Sequence, residues 1–197
     1  MELIPQQVRD VMARLEEQDA RDRTDGTPQE KRLRQIPPEV GGFLATIVLA
    51  MGARTIVEVG TSAGYSTLWL ASAARRTNGR VVTFEKDGDK VILASQTFSE
   101  AGVTDIVGLR HEDGIAGLSL GAGGVDLIFI DAEKDAYERL LEPAIGSLRV
   151  GGALVADNLI SHEKELAGFR AAALGHEQLS GLVVPIGRGE LLAVKTS

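Results

Sequence analysis

Two hydrophobic periods divide this 197-residue chain. Near its start, Ile4, Val8, Val11, Met12 and Leu15 recur at helical spacing and predict one amphipathic helix over about 4–15. Residues 16–35 are dense in charge, and Thr24-Asp25-Gly26-Thr27-Pro28 marks a break. That stretch reads as a short helix and a mobile connector with solvated charges; the alternative is a cap over a substrate site.

From Pro37 onward, short apolar runs alternate with helical patterns. Strands are predicted at 55–59, 81–85, 105–110, 125–130, 152–157, 180–185 and 190–195. Helices at 38–51, 65–75, 88–101, 114–119, 134–148 and 163–173 separate them. This order predicts an α/β fold, a doubly wound, mostly parallel seven-stranded sheet with helices on both faces. Gly187-Arg188-Gly189 suits a hairpin turn, so one strand near the sheet edge should run antiparallel. Residues 1–35 would then be an N-terminal helical arm and connector, and 36–197 the main domain.

Composition narrows the chemistry. Cysteine is absent, which excludes disulfides and thiolate metal sites. His111, His162 and His176 are too scattered for a zinc set. A net charge of −7 disfavours a large nucleic-acid footprint. The apolar run at 43–51 is too short to span a bilayer, and Met1-Glu2-Leu3-Ile4-Pro5 lacks the pattern of a signal peptide. A cytoplasmic protein is therefore expected.

Chemistry-bearing residues cluster at predicted strand ends. Asp131-Ala132-Glu133-Lys134 follows the run 125–130, and Asp157-Asn158 follows a second run at 153–156. Two carboxylates and an amide oxygen suit a hard cation such as Mg²⁺. A partly desolvated lysine beside such a cation is the type of group that serves as a base. Each also has a purely structural reading, Asp131 as a helix N-cap and Asp157-Asn158 as an Asx turn.

The first predicted strand runs into Glu58-Val59-Gly60-Thr61-Ser62-Ala63-Gly64-Tyr65-Ser66. Its glycines permit a tight turn and a close backbone approach to a ligand, and the helix that follows aims free N–H groups into the same crevice. The spacing is not that of a dinucleotide fingerprint. Glu85 ends the second strand, where an acid can accept both hydroxyls of a ribose. Asp113, before Gly114, can reach an adenine amino group, or cap the helix that follows.

Together the glycine loop, the 129–134 segment and Gly151-Gly152 leading to Asp157-Asn158 resemble class I S-adenosylmethionine-dependent methyltransferases. More narrowly, the chain resembles the cation-dependent O-methyltransferases of the catechol and caffeoyl-coenzyme A type, from about Gln35 to Lys195. The resemblance implies a Rossmann-like fold and methyl transfer from S-adenosylmethionine to a hydroxylated small molecule, with a vicinal diphenol as the first expectation. It implies Asp131, Asp157 and Asn158 as ligands of Mg²⁺ or another divalent cation, and Lys134 as the general base. For the cofactor it implies Ile36, Glu58, Gly60, Thr61, Ser62, Gly64, Tyr65, Ser66, Glu85, Asp113, Gly114 and Asp131. Thr61 and Ser66 would seat the methionine part, Glu85 the ribose and Asp113 the adenine, with Ile36 beside the methyl donor. A homodimer is implied as well.

The chain departs from that pattern in two places. The segment after Asn158 is compact and carries no aromatic residue, and the N-terminal arm is short. Methylation of a hydroxylated nucleoside in tRNA is the second enzymatic reading, with Arg75, Arg76 and Arg80 as a basic cluster. A nicotinamide-dependent oxidoreductase and a non-catalytic nucleotide-binding module are readings of another kind.

Overall fold

The computed structural model describes residues 3–119 and 123–197. Helix α1 (Gln6–Asp22) and a 3₁₀ turn at Gln29–Lys31 precede the alternating part. There follow α2 (Pro38–Met51), β1 (Thr55–Val59), α3 (Tyr65–Thr77), β2 (Arg80–Glu85), α4 (Gly88–Ala101), β3 (Val107–His111) and α5 (Gly114–Ser119). The chain ends with β4 (Val125–Ile130), a 3₁₀ turn at Lys134–Ala136, α6 (Tyr137–Ser147), β5 (Leu148–Ala156), α7 (Ala167–Gly175), β6 (Leu179–Val184) and β7 (Glu190–Lys195).

The sheet order is β3-β2-β1-β4-β5-β7-β6, with β7 antiparallel to both of its neighbours and the other pairings parallel. Strand alternation divides the core into two layers. Ile56, Val81, Leu127, Phe129 and Val155 pack with α1 to α4 on one face. Val57, Val59, Ile128, Ile130 and Leu154 pack with α6 and α7 on the other. Burial on both faces explains why the central strands read as continuous apolar runs.

Strand order reverses at β1, whose chain neighbours leave on opposite faces, and this opens a crevice at the carboxyl ends of the strands. The ladder also continues one step past the strands. Gly60 N–H donates to Phe84 O, Asp131 N–H to Val59 O, Asp157 N–H to Ile130 O and Glu112 N–H to Glu85 O, each at 2.9–3.0 Å. Four loops are thereby held in register at one edge.

The strand expected at 152–157 starts earlier, at Leu148, and three further expectations change. First, α1 continues to Asp22, and the connector is tied down: Asp22 Oδ2 accepts from Leu33 N, Ser62 Oγ donates to Leu33 O, and Gln7 Nε2 donates to Glu100 O. Leu33 is buried with Val8, Val11, Met12 and Leu15, so the arm belongs to the core and is not a loose tether. Second, the helix expected at 134–148 begins at Tyr137, because Glu133 is extended and residues 134–136 form a 3₁₀ turn. Asp131 is therefore no N-cap. Third, the helix expected at 163–173 begins at Ala167. The N–H groups of Leu159, Ile160 and Ser161 bond to the carbonyls of Arg188 and Gly189, which holds that stretch in turns. No helix among the described residues is long and apolar enough to cross a membrane.

Candidate active site

The crevice is one cavity. Its wall includes Ile36, Gly60, Thr61, Ser62, Tyr65, Ser66, Glu85, Asp113, Gly114, Asp131, Lys134 and Asn158. Glu58, Gly64 and Asp157, also singled out from sequence, lie behind that wall. The hinge between the halves is Gly60, at φ 101°. A Cβ there would overlap the Asp131 carbonyl oxygen, so only glycine brings the β1 loop flush against the β4 loop.

Glu58 is fully buried and acts from beneath the loop. Ser66 Oγ, Thr67 Oγ1 and Thr83 Oγ1 donate to its carboxylate, and Thr61 Oγ1 lies 2.5 Å from Thr83 Oγ1. Thr61 and Ser66 thus line the cavity while their hydroxyls serve Glu58 and its network. Burial pushes the Glu58 carboxyl up to about 7; the three hydroxyl donors pull the other way. Tyr65 turns its hydroxyl to Glu16 of α1 and fastens the arm to the loop.

Glu85 is held by Ser62 N–H at 2.8 Å and Asp87 N–H at 3.0 Å, with Ser62 in the left-handed region at φ 48°. A carboxylate fixed in this way still has lone pairs for a diol. Asp113 Oδ1 accepts from Ile115 N–H at 2.8 Å, so it both caps α5 and faces the cavity.

At the other end, Asn158 Nδ2 donates to Asp131 Oδ1 at 3.0 Å, with Asn158 at φ 75°. Burial, then the nearby Asp157 charge, raises the Asp131 carboxyl to about 6, while Lys134 and Arg188 oppose the rise. Asp157 Oδ1 accepts from Asn158 N–H, whereas Asp157 Oδ2 is buried with no donor. Both carboxyl oxygens of Glu190 are equally orphaned, and burial followed by the charge of Asp157 pushes Glu190 up to about 10. These crowded carboxyl oxygens lack positive partners, and a hard cation at Asp131, Asp157 and Asn158 would relieve that shortage. Such a cation would take the Asn158 amide oxygen in place of its nitrogen. Among the described residues no three His, Cys, Asp or Glu side chains form a metal-holding group, so the amide is needed to complete the set.

Lys134 Nζ lies 3.1 Å from Ala132 O, 3.3 Å from the Tyr137 hydroxyl and 3.6 Å from Asp131 Oδ1. Three acceptors match the three N–H bonds of an ammonium. Tyr137 both packs and bonds. Its ring is fully buried edge-on to Phe169, and its hydroxyl bonds Asp157 O at 3.1 Å while accepting from Lys134. Burial, reinforced by the Asp131 and Asp157 charges, keeps that phenol protonated.

The match to known proteins follows this geometry. Residues 9–170 match the O-methyltransferase family. The chain belongs to that family of S-adenosylmethionine-dependent enzymes. It is 38% identical over 135 residues to a catechol O-methyltransferase of Niastella koreensis, covering 66% of this chain and 61% of that protein. This chain therefore spans less than two thirds of that relative. A putative O-methyltransferase of Mycolicibacterium vanbaalenii is 32% identical over 176 residues, covering 81% of this chain and 76% of the relative. Among solved structures, the Bacillus cereus O-methyltransferase in complex with SAH superposes with a TM-score of 0.79 at 25% identity, covering 95% of this chain and 91% of the other. Family membership favours methyl transfer over the oxidoreductase and the non-catalytic module, and it agrees with the α/β fold expected from sequence.

Sequence reasoning missed several wall residues. Gln29, Leu33, Arg34 and Gln35 come from the arm, and Arg188 from the β6–β7 turn. The charge-dense stretch at 16–35 was the one signal: most of its charges are solvated, as expected, while Gln29, Leu33, Arg34 and Gln35 also wall the cavity. Glu190 gave no signal, since one glutamate at a strand start looks like surface.

Proposed function

We propose that this protein methylates a hydroxyl of a metal-chelating small molecule, a vicinal diphenol, using S-adenosylmethionine and a divalent cation. The observation that carries this reading is the meeting of two sets in one cavity: the Gly60–Ser66 loop with Glu85 and Asp113, and Asp131, Asn158 and Lys134. When bound, S-adenosylmethionine supplies an electrophilic methyl group and the cation makes a chelated hydroxyl more acidic.

The chain's own residues do the rest. Asp131, Asp157 and Asn158 would hold the cation. Glu85 takes the ribose hydroxyls, and Ile36 gives an apolar wall for the donor end. Lys134 Nζ is placed to take the acceptor's proton as general base. Asp131 and the Tyr137 hydroxyl keep its nitrogen at that spot. Enclosure by the arm restricts water and holds the reactants near attack geometry, where orientation is worth up to roughly 7–11 kcal/mol in the best cases.

The nucleoside reading has one arginine fewer than its basic cluster suggested, because the Arg75 guanidinium is already paired with Asp105 at 2.8 and 3.0 Å. Manganese binding followed by electron paramagnetic resonance tests the cation site without turnover. Wild type should bind one Mn²⁺ and Asp131→Ala should not; equal binding by both would sink the assignment.

A further inference from the structure

The rim of the cavity has a charge of the wrong sign for this chain. In a protein of net charge −7, a second cleft lined by Arg23, Arg32, Arg34 and Arg188, with Asp19 and Gln29, opens beside the central cavity. The two share Gln29, Arg34 and Arg188 as common wall. Low-dielectric walls around like charges focus their field on the space between them.

These arginines differ in what already occupies them. Arg23 is bound to Asp19 through Nε at 2.9 Å and Nη2 at 2.7 Å. Arg32 Nε donates to Thr27 O at 2.8 Å. Arg34 forks onto Glu133 with its terminal nitrogens, yet its Nε is buried with no acceptor. It is also held at φ 52°, an uncommon conformation for a side chain of this size. The Arg188 guanidinium makes no hydrogen bond and no ion pair among the described residues, and its charge reaches Asp131.

The backbone delivers Arg188 with precision. Its carbonyl accepts from Ile160 N–H at 3.1 Å and Ser161 N–H at 3.0 Å. Next to it, Gly189 is at φ 93°, where any Cβ would overlap Ile160. A half-buried guanidinium on a locked turn, left without an acceptor, is built to meet an anion that arrives with a ligand.

We infer that Arg188, assisted by the free Nε of Arg34, binds a carboxylate carried by the methyl acceptor. This rests on the proposed function. Arg34 and Arg188 line the same cavity as Asp131 and Lys134, so an acceptor held at those two residues has both arginines in its wall. The acceptor class is a vicinal diphenol bearing a carboxylate, not a neutral catechol.

Calorimetry on the full chain saturated with SAH and Mg²⁺ tests this with 3,4-dihydroxybenzoate against 3,4-dihydroxybenzamide. The carboxylate should bind about 10-fold tighter, the scale of one charge-assisted hydrogen bond. Arg188→Gln should erase that gap and Arg188→Lys should restore part of it. Equal binding of the two ligands to wild type, or a gap that survives Arg188→Gln, overturns the inference. Methyl transfer to the neutral amide reads the underlying reaction separately. Transfer without a carboxylate preference would defeat the anion site and leave the reaction standing; a carboxylate preference in binding without transfer to either ligand would do the reverse.

Discussion

Glu58 should make the stability of this protein fall as pH rises through neutrality, and Glu58→Gln should remove that fall. Burial raises its folded-state pKa to about 7 from the ordinary 4.5 of a glutamate. Above pH 4.5 the unfolded chain releases this proton while the folded chain keeps it, so the folded state binds more protons and stability declines with pH. The decline is complete once pH passes the folded value. A difference of about 2.5 units at roughly 1.4 kcal/mol each is about 3 kcal/mol in all, of which some 2–3 kcal/mol falls between pH 5 and 8.5. Glutamine keeps the shape and carries no charge, and the Ser66, Thr67 and Thr83 hydroxyls can turn to suit it. Urea unfolding of both proteins across that range, without cofactor and in EDTA, measures the difference. Asp131 also titrates upward and its charge adds to the rise at Glu58, so the variant-minus-wild-type difference is the quantity compared. A difference that stays constant from pH 5 to 8.5 would refute the argument.

Three further perturbations probe the site. Gly60→Ala should cost roughly 2–4 kcal/mol of stability through its positive φ and its overlap with Asp131, and should weaken SAH binding as the loops part; unchanged SAH affinity by titration would contradict the hinge role. Lys134→Ala should lower kcat by about 10²–10⁴-fold with little change in SAH affinity, as expected for loss of a general base; full turnover in a methyl-transfer assay would remove it from the mechanism. Tyr137→Phe should cost about 1 kcal/mol in urea unfolding and lower kcat more than it raises KM, because the Asp157 carbonyl and Lys134 both lose a partner; wild-type kcat would make Tyr137 a packing residue after all.

What the chain discloses before folding depends on distance along it. The parallel strands could be read because burial on both faces leaves unbroken apolar runs such as 125–130. The glycine loop, Asp131, Lys134 and Asp157-Asn158 could be read because each sits within a few residues of a strand end. The start of β5 could not. Between Val125 and Leu127 the register against β5 shifts from Leu148 to Ala153, so the strand begins before Gly151, with a bulge in it. The late start of α7 depends on bonds to the β6–β7 turn nearly thirty residues away. Arg34 and Arg188 meet across an even longer separation, and neither has a local pattern that marks it. Glu190 needed the antiparallel pairing of β7 with β5, which carries its carboxyl next to Asp157.

The central claim is tested most directly by labelled-methyl transfer from S-adenosylmethionine to a panel of vicinal diphenols, in Mg²⁺ and in EDTA. The account predicts transfer in Mg²⁺ that EDTA abolishes. Equal transfer in both buffers, or none to any diphenol in Mg²⁺, would contradict it.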